Sequence, residues 1–312
     1  MTQVIAVFPG QGAQQVGMLA DLADEYALVG ETFAEASDAI GQDLWALVQN
    51  GPAETLNLTY NAQPVLLTSS IAVLRVVKEL APALNIVAAA GHSLGEYSAL
   101  VAADAIDFSA AVQLVRKRGE LMDQAVPAGE GGMAAIIGLD EDGIRTVCEQ
   151  ASVAGVVEPA NFNAPGQIVI AGAAAGVEKA CELAKAAGAK RALPLSVSGP
   201  FHSSLMKAAA EDFNEALQAV SWRAPQFPVY HNADNQPAPM AEIPEKLLAQ
   251  LYSPVNWIGA VQAVRGHADN AIEFGPGKVL AGLNKRIDKT LATHGSGSLD
   301  SLRAVVTMIQ GQ

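Results

Sequence analysis

Two short apolar runs punctuate the first hundred residues, Val4-Ile5-Ala6-Val7-Phe8 and Leu84-Asn85-Ile86-Val87-Ala88-Ala89-Ala90. Neither alternates, and both are too short for a helix, which predicts strands buried on both faces. Between them helical spacing runs through residues 20–50 and again from about Pro64 to Leu80, with Pro64 suited to a first helical position. Tyr97-Ser98-Ala99-Leu100-Val101-Ala102-Ala103 starts another helix, and Asp107-Phe108 opens one through about Val126. At about 100° per residue, Phe108, Ala111, Val112, Val115, Gly119 and Met122 form one apolar stripe, with Arg116, Lys117, Glu120 and Asp123 opposite. Arg118 breaks the pattern. It projects into the apolar side, where a guanidinium must find a partner or be costly.

After Pro127 the texture changes. Met133–Leu139, Val156–Asn163, Gln167–Ala171 and Lys190–Val197 read as strands, with helices from Asp140 to Gln150 and from Gly176 to Ala187. The order β-α-β-β-α-β is ferredoxin-like and makes residues 128–197 an inserted small subdomain. The larger part is then 1–127 with 198–312. Phe227-Pro228-Val229-Tyr230 is a short strand that its proline assigns to an edge. Ala271–Phe274 is a further strand, followed by Gly275-Pro276-Gly277-Lys278 and a helix carrying Lys285 and Arg286. The tail beyond Thr293 is Gly/Ser-rich at first and is assigned no function.

Composition agrees with a parallel sheet under Ala-rich helices. Half of the 312 residues are hydrophobic, 16% are charged and only 5% aromatic. The start of the chain has no basic, apolar leader and no run approaches a membrane span, so a cytoplasmic protein is expected. Cys148 and Cys181 are isolated, in keeping with reduced thiols. A net charge of −13 argues against non-specific nucleic-acid binding, and an anionic partner would need a local basic patch. No histidine or cysteine pair has ligand spacing, so no metal is expected.

The chemistry gathers at Gly91-His92-Ser93-Leu94-Gly95. A G-x-S-x-G between a strand and a helix is the context of a nucleophile elbow, which lifts the serine to the end of the sheet. The Leu94 N–H would then point where an oxyanion forms. The loop Pro9-Gly10-Gln11-Gly12 ends the first strand and would face the same crevice if the strands are parallel, so Gln11 is a second candidate oxyanion donor. It lacks the third glycine of a dinucleotide loop and the Lys-Ser/Thr of a phosphate loop. His202 follows the last strand of the insertion, at the return to the larger part. A serine hydrolase would instead use a late histidine, His267 or His294, and no acid stands out to complete it. His231, beside Asn232, reads as a loop residue after a strand.

The ordered set Phe8-Pro9-Gly10-Gln11-Gly12, Gly91-His92-Ser93-Leu94-Gly95-Glu96, Arg118-Gly119, Asn161-Phe162-Asn163, Gly199-Pro200-Phe201-His202-Ser203 and Glu273-Phe274-Gly275-Pro276-Gly277 resembles the malonyl-CoA:acyl carrier protein transacylase family over nearly the whole chain. The resemblance implies an α/β-hydrolase-like large subdomain and a ping-pong acyltransferase serving type II fatty-acid synthesis. Ser93 is then the nucleophile, His202 the base, and Leu94 with Gln11 the oxyanion hole. Arg118 binds the malonyl carboxylate, and the Gln250 backbone carbonyl orients the imidazole. Phe201, Asn163 and His92 border the acyl group, Phe201 favouring malonyl over its α-methyl analogue. CoA and phosphopantetheine arrive on the substrates, so no resident cofactor is implied. The expected partners of this monomer are malonyl-CoA and an acidic acyl carrier protein. The candidate docking patch is Lys190, Arg191, Lys285 and Arg286.

Overall fold

The computed structural model of the chain describes residues 2–311. Its strands in chain order are β1 (Gln3–Phe8), β2 (Asn85–Gly91), β3 (Gly131–Ile137), β4 (Val157–Ala164) and β5 (Gln167–Ala173). There follow β6 (Arg191–Pro194), β7 (Val229–Tyr230), β8 (Val255–Asn256), β9 (Asn270–Glu273) and β10 (Ala292–Gly295). They form two sheets in the order β10-β9-β1-β2-β7 and β6-β3-β5-β4-β8. Every pair of the first sheet is parallel. In the second, β3, β4, β5 and β6 pair antiparallel.

The continuous apolar run Val4–Phe8 is fully buried because β1 is the central strand, with helices on both faces. Parallel pairing aligns the carboxyl ends. Phe8 lies opposite Gly91, Val7 opposite Glu273, and Ala90 opposite Tyr230. The loops at 9–15, 92–94, 231–232 and 274–278 therefore leave one edge of the sheet together, which is where ligands bind in such sheets. Glu273 is buried and accepts the Leu280 and Ala281 N–H groups at 3.0 and 2.8 Å, capping the helix Val279–Ile287. Phe274 stacks on Phe8, with ring centroids 5.8 Å apart, and so buttresses the first loop.

Several expectations change. The helical stretch 20–50 is three helices, Ala20–Glu25, Ala27–Ile40 and Leu44–Asn50. Pro64 does not open its helix, which runs from Thr59 to Leu80. A proline there frees the Tyr60 carbonyl, and Arg116 Nη1 donates to that oxygen at 3.4 Å. The last small-sheet strand is shorter than expected, Arg191–Pro194, with one more bond beyond it from the Leu195 N–H to the Met133 carbonyl at 2.9 Å. The small sheet also gains a fifth strand from outside 128–197, since β8 pairs parallel to β4. The Gly/Ser-rich tail contains β10 and the helix Leu299–Gln310, started by a Ser298/Ser301 capping box. The edge position of β7 is as its proline required.

The helix Phe108–Gln124 buries the predicted stripe, Arg118 included. It crosses the Thr59 helix closely at Gly119, where an added β-carbon would lie 2.5 Å from Tyr60 Cα. That neighbour is backbone and cannot swing away. Gly119→Ala should cost about 1–3 kcal/mol of stability, as overpacking does. A urea-unfolding midpoint equal to that of the unmutated chain would show that the two helices separate freely.

Candidate active site

Between β2 and the helix Gly95–Ala102 only His92, Ser93 and Leu94 make the turn. A β-carbon on Gly91 would fall 1.9 Å from the Gly95 carbonyl carbon, and one on Gly95 would fall 2.1 Å from the Phe8 oxygen. Both positions must therefore be glycine. Ser93 itself is left-handed, with φ 51, a conformation that costs a residue with a β-carbon about 1–2 kcal/mol. Its N–H donates to Asn232 Oδ1 at 2.7 Å, while Asn232 Nδ2 donates to the Gly91 carbonyl at 2.7 Å. One side chain thus spans the turn and holds it.

The turn aims Ser93 Oγ at His202 Nε2, 2.7 Å away. His202 is also left-handed, with φ 59, and its Nδ1 lies 2.9 Å from the Gln250 carbonyl. A carbonyl only accepts, so Nδ1 carries the hydrogen and Nε2 is left to accept from the serine hydroxyl. Burial, and then the positive charge of Arg118, push the imidazole down from its ordinary 6.5 to about 3. The group is a neutral base at physiological pH.

Arg118 is 1% exposed and, among the described residues, has no acidic partner in contact. Its Nη1 donates to Gln63 Oε1 at 2.9 Å, and its Nη2 donates to Gln250 Oε1 at 2.8 Å and to Ser93 Oγ at 3.2 Å. Its Nε has no partner. Burial lowers its pKa, the signature of a charge held where water cannot solvate it. Arg118, Ser93 and His202 face a cavity of about 470 Å³, also lined by Gln11, His92, Leu94, Asn161 and Phe201. Such an arrangement provides a hydroxyl, a base for its proton and a fixed cation for an anionic group nearby.

Asn163, expected at the acyl group, is not among the lining residues. Its Oδ1 lies 2.8 Å from His92 Nε2 and braces that ring, while Asn161, one pleat earlier on β4, takes the lining position. His267 and His294 stand elsewhere, against Tyr230 and Asn270. Lys190, Arg191, Lys285 and Arg286 are all exposed. Arg286 is engaged, donating to Gln167 Oε1 and, at 2.9 Å, to the Pro165 carbonyl. Sequence reasoning missed Gln63, Asn232, His231 and Glu96 as neighbours of the site. Glu96 and His231 are fully buried and Asn232 nearly so. The signal was that β7 ends opposite the end of β2, which only the strand order reveals.

Residues 5–280 match the acyl transferase domain family. The chain is 51% identical over 99% of its length to all of the malonyl CoA-acyl carrier protein transacylase of Escherichia coli strain K12. It is 49% identical to that of Bacillus subtilis, covering 94% of this chain and 93% of the relative. An acyl carrier protein S-malonyltransferase crystal structure from Vibrio cholerae superposes with a TM-score of 0.93 at 52% identity, over 98% of this chain and all of that one. A malonyl-transacylase solved in complex with a type II PKS acyl-carrier protein superposes with a TM-score of 0.96 at 48% identity, over the full length of both. With a serine, a neutral histidine and a buried arginine converging on one cavity, the chain belongs to the malonyl CoA-acyl carrier protein transacylase family.

Proposed function

We propose that this acyltransferase moves a malonyl group from malonyl-CoA to the phosphopantetheine thiol of an acyl carrier protein through a Ser93 ester. The observation that carries the reading is Arg118, a buried guanidinium 3.2 Å from Ser93 Oγ with neutral partners only. In the first half-reaction His202 Nε2 takes the Ser93 proton as Oγ attacks the thioester carbonyl. The tetrahedral oxyanion is met by the Leu94 N–H, at the start of the Gly95 helix, and by the Gln11 loop. On collapse the C–S bond breaks and the imidazolium returns its proton to the departing CoA thiolate. In the second half His202 takes the carrier thiol's proton as its sulfur attacks the Ser93 ester, the C–O bond breaks on collapse, and the imidazolium returns the proton to Ser93 Oγ. The Gln250 carbonyl substitutes for the acid of a triad, because fixing the tautomer needs only an acceptor.

In this reading the parallel sheet with 1–127 and 198–312 is an α/β-hydrolase-like subdomain and 128–197 a ferredoxin-like one, the site lying where they meet. The βαββαβ order with strands β6-β3-β5-β4 supports the second label. An acidic carrier would meet Lys190, Arg191 and Lys285, while Arg286 serves chiefly to hold the turn at Pro165. His92 and Phe201 border the acyl group.

Brief incubation with malonyl-CoA should leave a malonyl adduct on the intact protein by mass spectrometry, absent from Ser93→Ala. An adduct that persists in Ser93→Ala would reject the elbow as the nucleophile. Arg118→Ala should lose malonyl transfer by roughly two to four decades, the loss expected when one partner of a buried pair is removed. Acetyl transfer should hold, since acetyl-CoA offers the guanidinium nothing. Equal loss of both in a folded variant would make Arg118 structural.

The pH dependence follows from His202. Because its folded value lies below 6.5, kcat/KM for malonyl-CoA should stay level as pH falls through 6.5, with the acid limb well below it. Arg118→Ala removes the second cause and should move the limb upward, still short of 6.5 because burial remains. Stability has the same sign: the unfolded chain binds a proton that the folded site refuses, so His202's contribution is full above 6.5 and is lost as pH falls towards about 3. An acid limb at 6.5 in the unmutated enzyme would contradict the neutral, buried base.

A further inference from the structure

Glu96 is 0% exposed, in the first turn of the helix after Ser93, and is not among the residues lining the cavity. Its two oxygens accept three N–H groups. Oε1 takes His231 Nδ1 at 2.7 Å; Oε2 takes the Asn232 backbone N–H at 2.8 Å and Gln250 Nε2 at 2.7 Å. Each of the last two residues acts on the site. Asn232 is the side chain that holds the Ser93 N–H. Gln250 presents Oε1 to Arg118 Nη2 and gives Nε2 to the Ser93 carbonyl as well as to Glu96.

An amide has two ends, and nothing in its own shape decides which faces Arg118. Turned round, Gln250 would set an NH2 against a guanidinium N–H, and the hydrogen bond that aims Arg118 would become a clash of donors. Glu96, with the shorter of the two bonds to Nε2, removes that choice together with the Ser93 carbonyl. A carboxylate accepts and never donates, so the NH2 end must face it and the carbonyl end must face Arg118. We propose that Glu96 is a positioning residue that fixes the direction of the hydrogen bonds around Ser93 and Arg118, and through Gln250 sets the enzyme's preference for a carboxylate-bearing acyl group.

His231 makes the proposal testable, because its Nε2 has no partner. In Glu96→Gln the new amide can keep its oxygen on Asn232 and Gln250 and turn its NH2 to His231, whose Nδ1 gives up its hydrogen to Nε2 and accepts instead. Direction survives although the charge is lost. In Glu96→Met the shorter of the two Gln250 Nε2 hydrogen bonds is lost, the Ser93 carbonyl alone accepts from it, and the amide is held much less firmly against turning.

The inference rests on Arg118 as the carboxylate group, so Arg118→Ala is the control. The readout is the ratio of kcat/KM for malonyl-CoA to that for acetyl-CoA, with urea unfolding to confirm the fold. Glu96→Met should lower both rates and reduce the ratio by about 10–100-fold, the scale of a misplacement near 1 Å. Glu96→Gln should keep the ratio within about threefold of the unmutated enzyme, well inside that scale. If Glu96→Met does not fold, Gln250→Met, which deletes the relay and leaves Glu96 its other two donors, should reduce the ratio likewise. An unchanged ratio in a folded Glu96→Met or Gln250→Met, or an equal collapse in Glu96→Gln, overturns the proposal. Should Arg118→Ala itself leave the ratio unchanged, the reading of Arg118 fails first. A ratio that falls in Arg118→Ala but not in Glu96→Met rejects Glu96 alone.

Discussion

Everything in the site hangs from the contact between β1 and the elbow. Gly95 sits so close to the Phe8 carbonyl that a methyl group would overlap it, and Gly91 is pressed as tightly against Gly95. The turn between them cannot relax outwards, because β1 is the central strand and is paired on both sides. Ser93 is therefore held in a backbone conformation that it would not adopt alone. The strain is met by Asn232, which takes the Ser93 N–H and is carried in on the neighbouring strand's loop. Strain of this kind persists only where the surrounding structure over-determines it, as it does here.

Arg118 places the opposite demand on the fold. A guanidinium out of water needs its donors satisfied, yet a full carboxylate partner would leave nothing for a ligand. The site compromises with neutral acceptors, Gln63 and Gln250, that satisfy the donors without neutralising the charge. That residual charge also keeps His202 unprotonated, second only to burial as a cause. On the proposed reading of Arg118, selectivity and basicity share one origin. A malonyl carboxylate on Arg118 would offset the charge that depresses His202, and the base would strengthen with the substrate in place.

The small sheet is less separate than its chain segment suggests. β8 joins it from the larger part, and Arg286 ties the β4–β5 turn to the helix after β9. Met133, Asn161 and the stretch Leu195–Val197 line the same cavity as Ser93 and Arg118. An orientation held by strand pairing as well as packing suits a site whose members come from both parts.

Local patterns determined a good deal without any coordinates. The unbroken apolar run at Val4–Phe8 required a strand buried on both faces. Glycines flanking Ser93 between a strand and a helix required a tight turn, and the helical stripe through Phe108–Met122 required Arg118 to point inward. Each follows from sterics or periodicity within a few residues. The same logic failed at Pro64, where a distant arginine satisfies the carbonyl that proline releases. It was silent on the tail, whose strand β10 pairs with β9. The partners of the site were beyond it altogether. Glu96, Asn232, Gln63 and Gln250 are polar residues in unremarkable local settings, and which donor meets which acceptor depends on strand order and helix crossing. Hydrogen-bond direction is a property of two groups far apart in the chain, so only the tertiary structure could decide it.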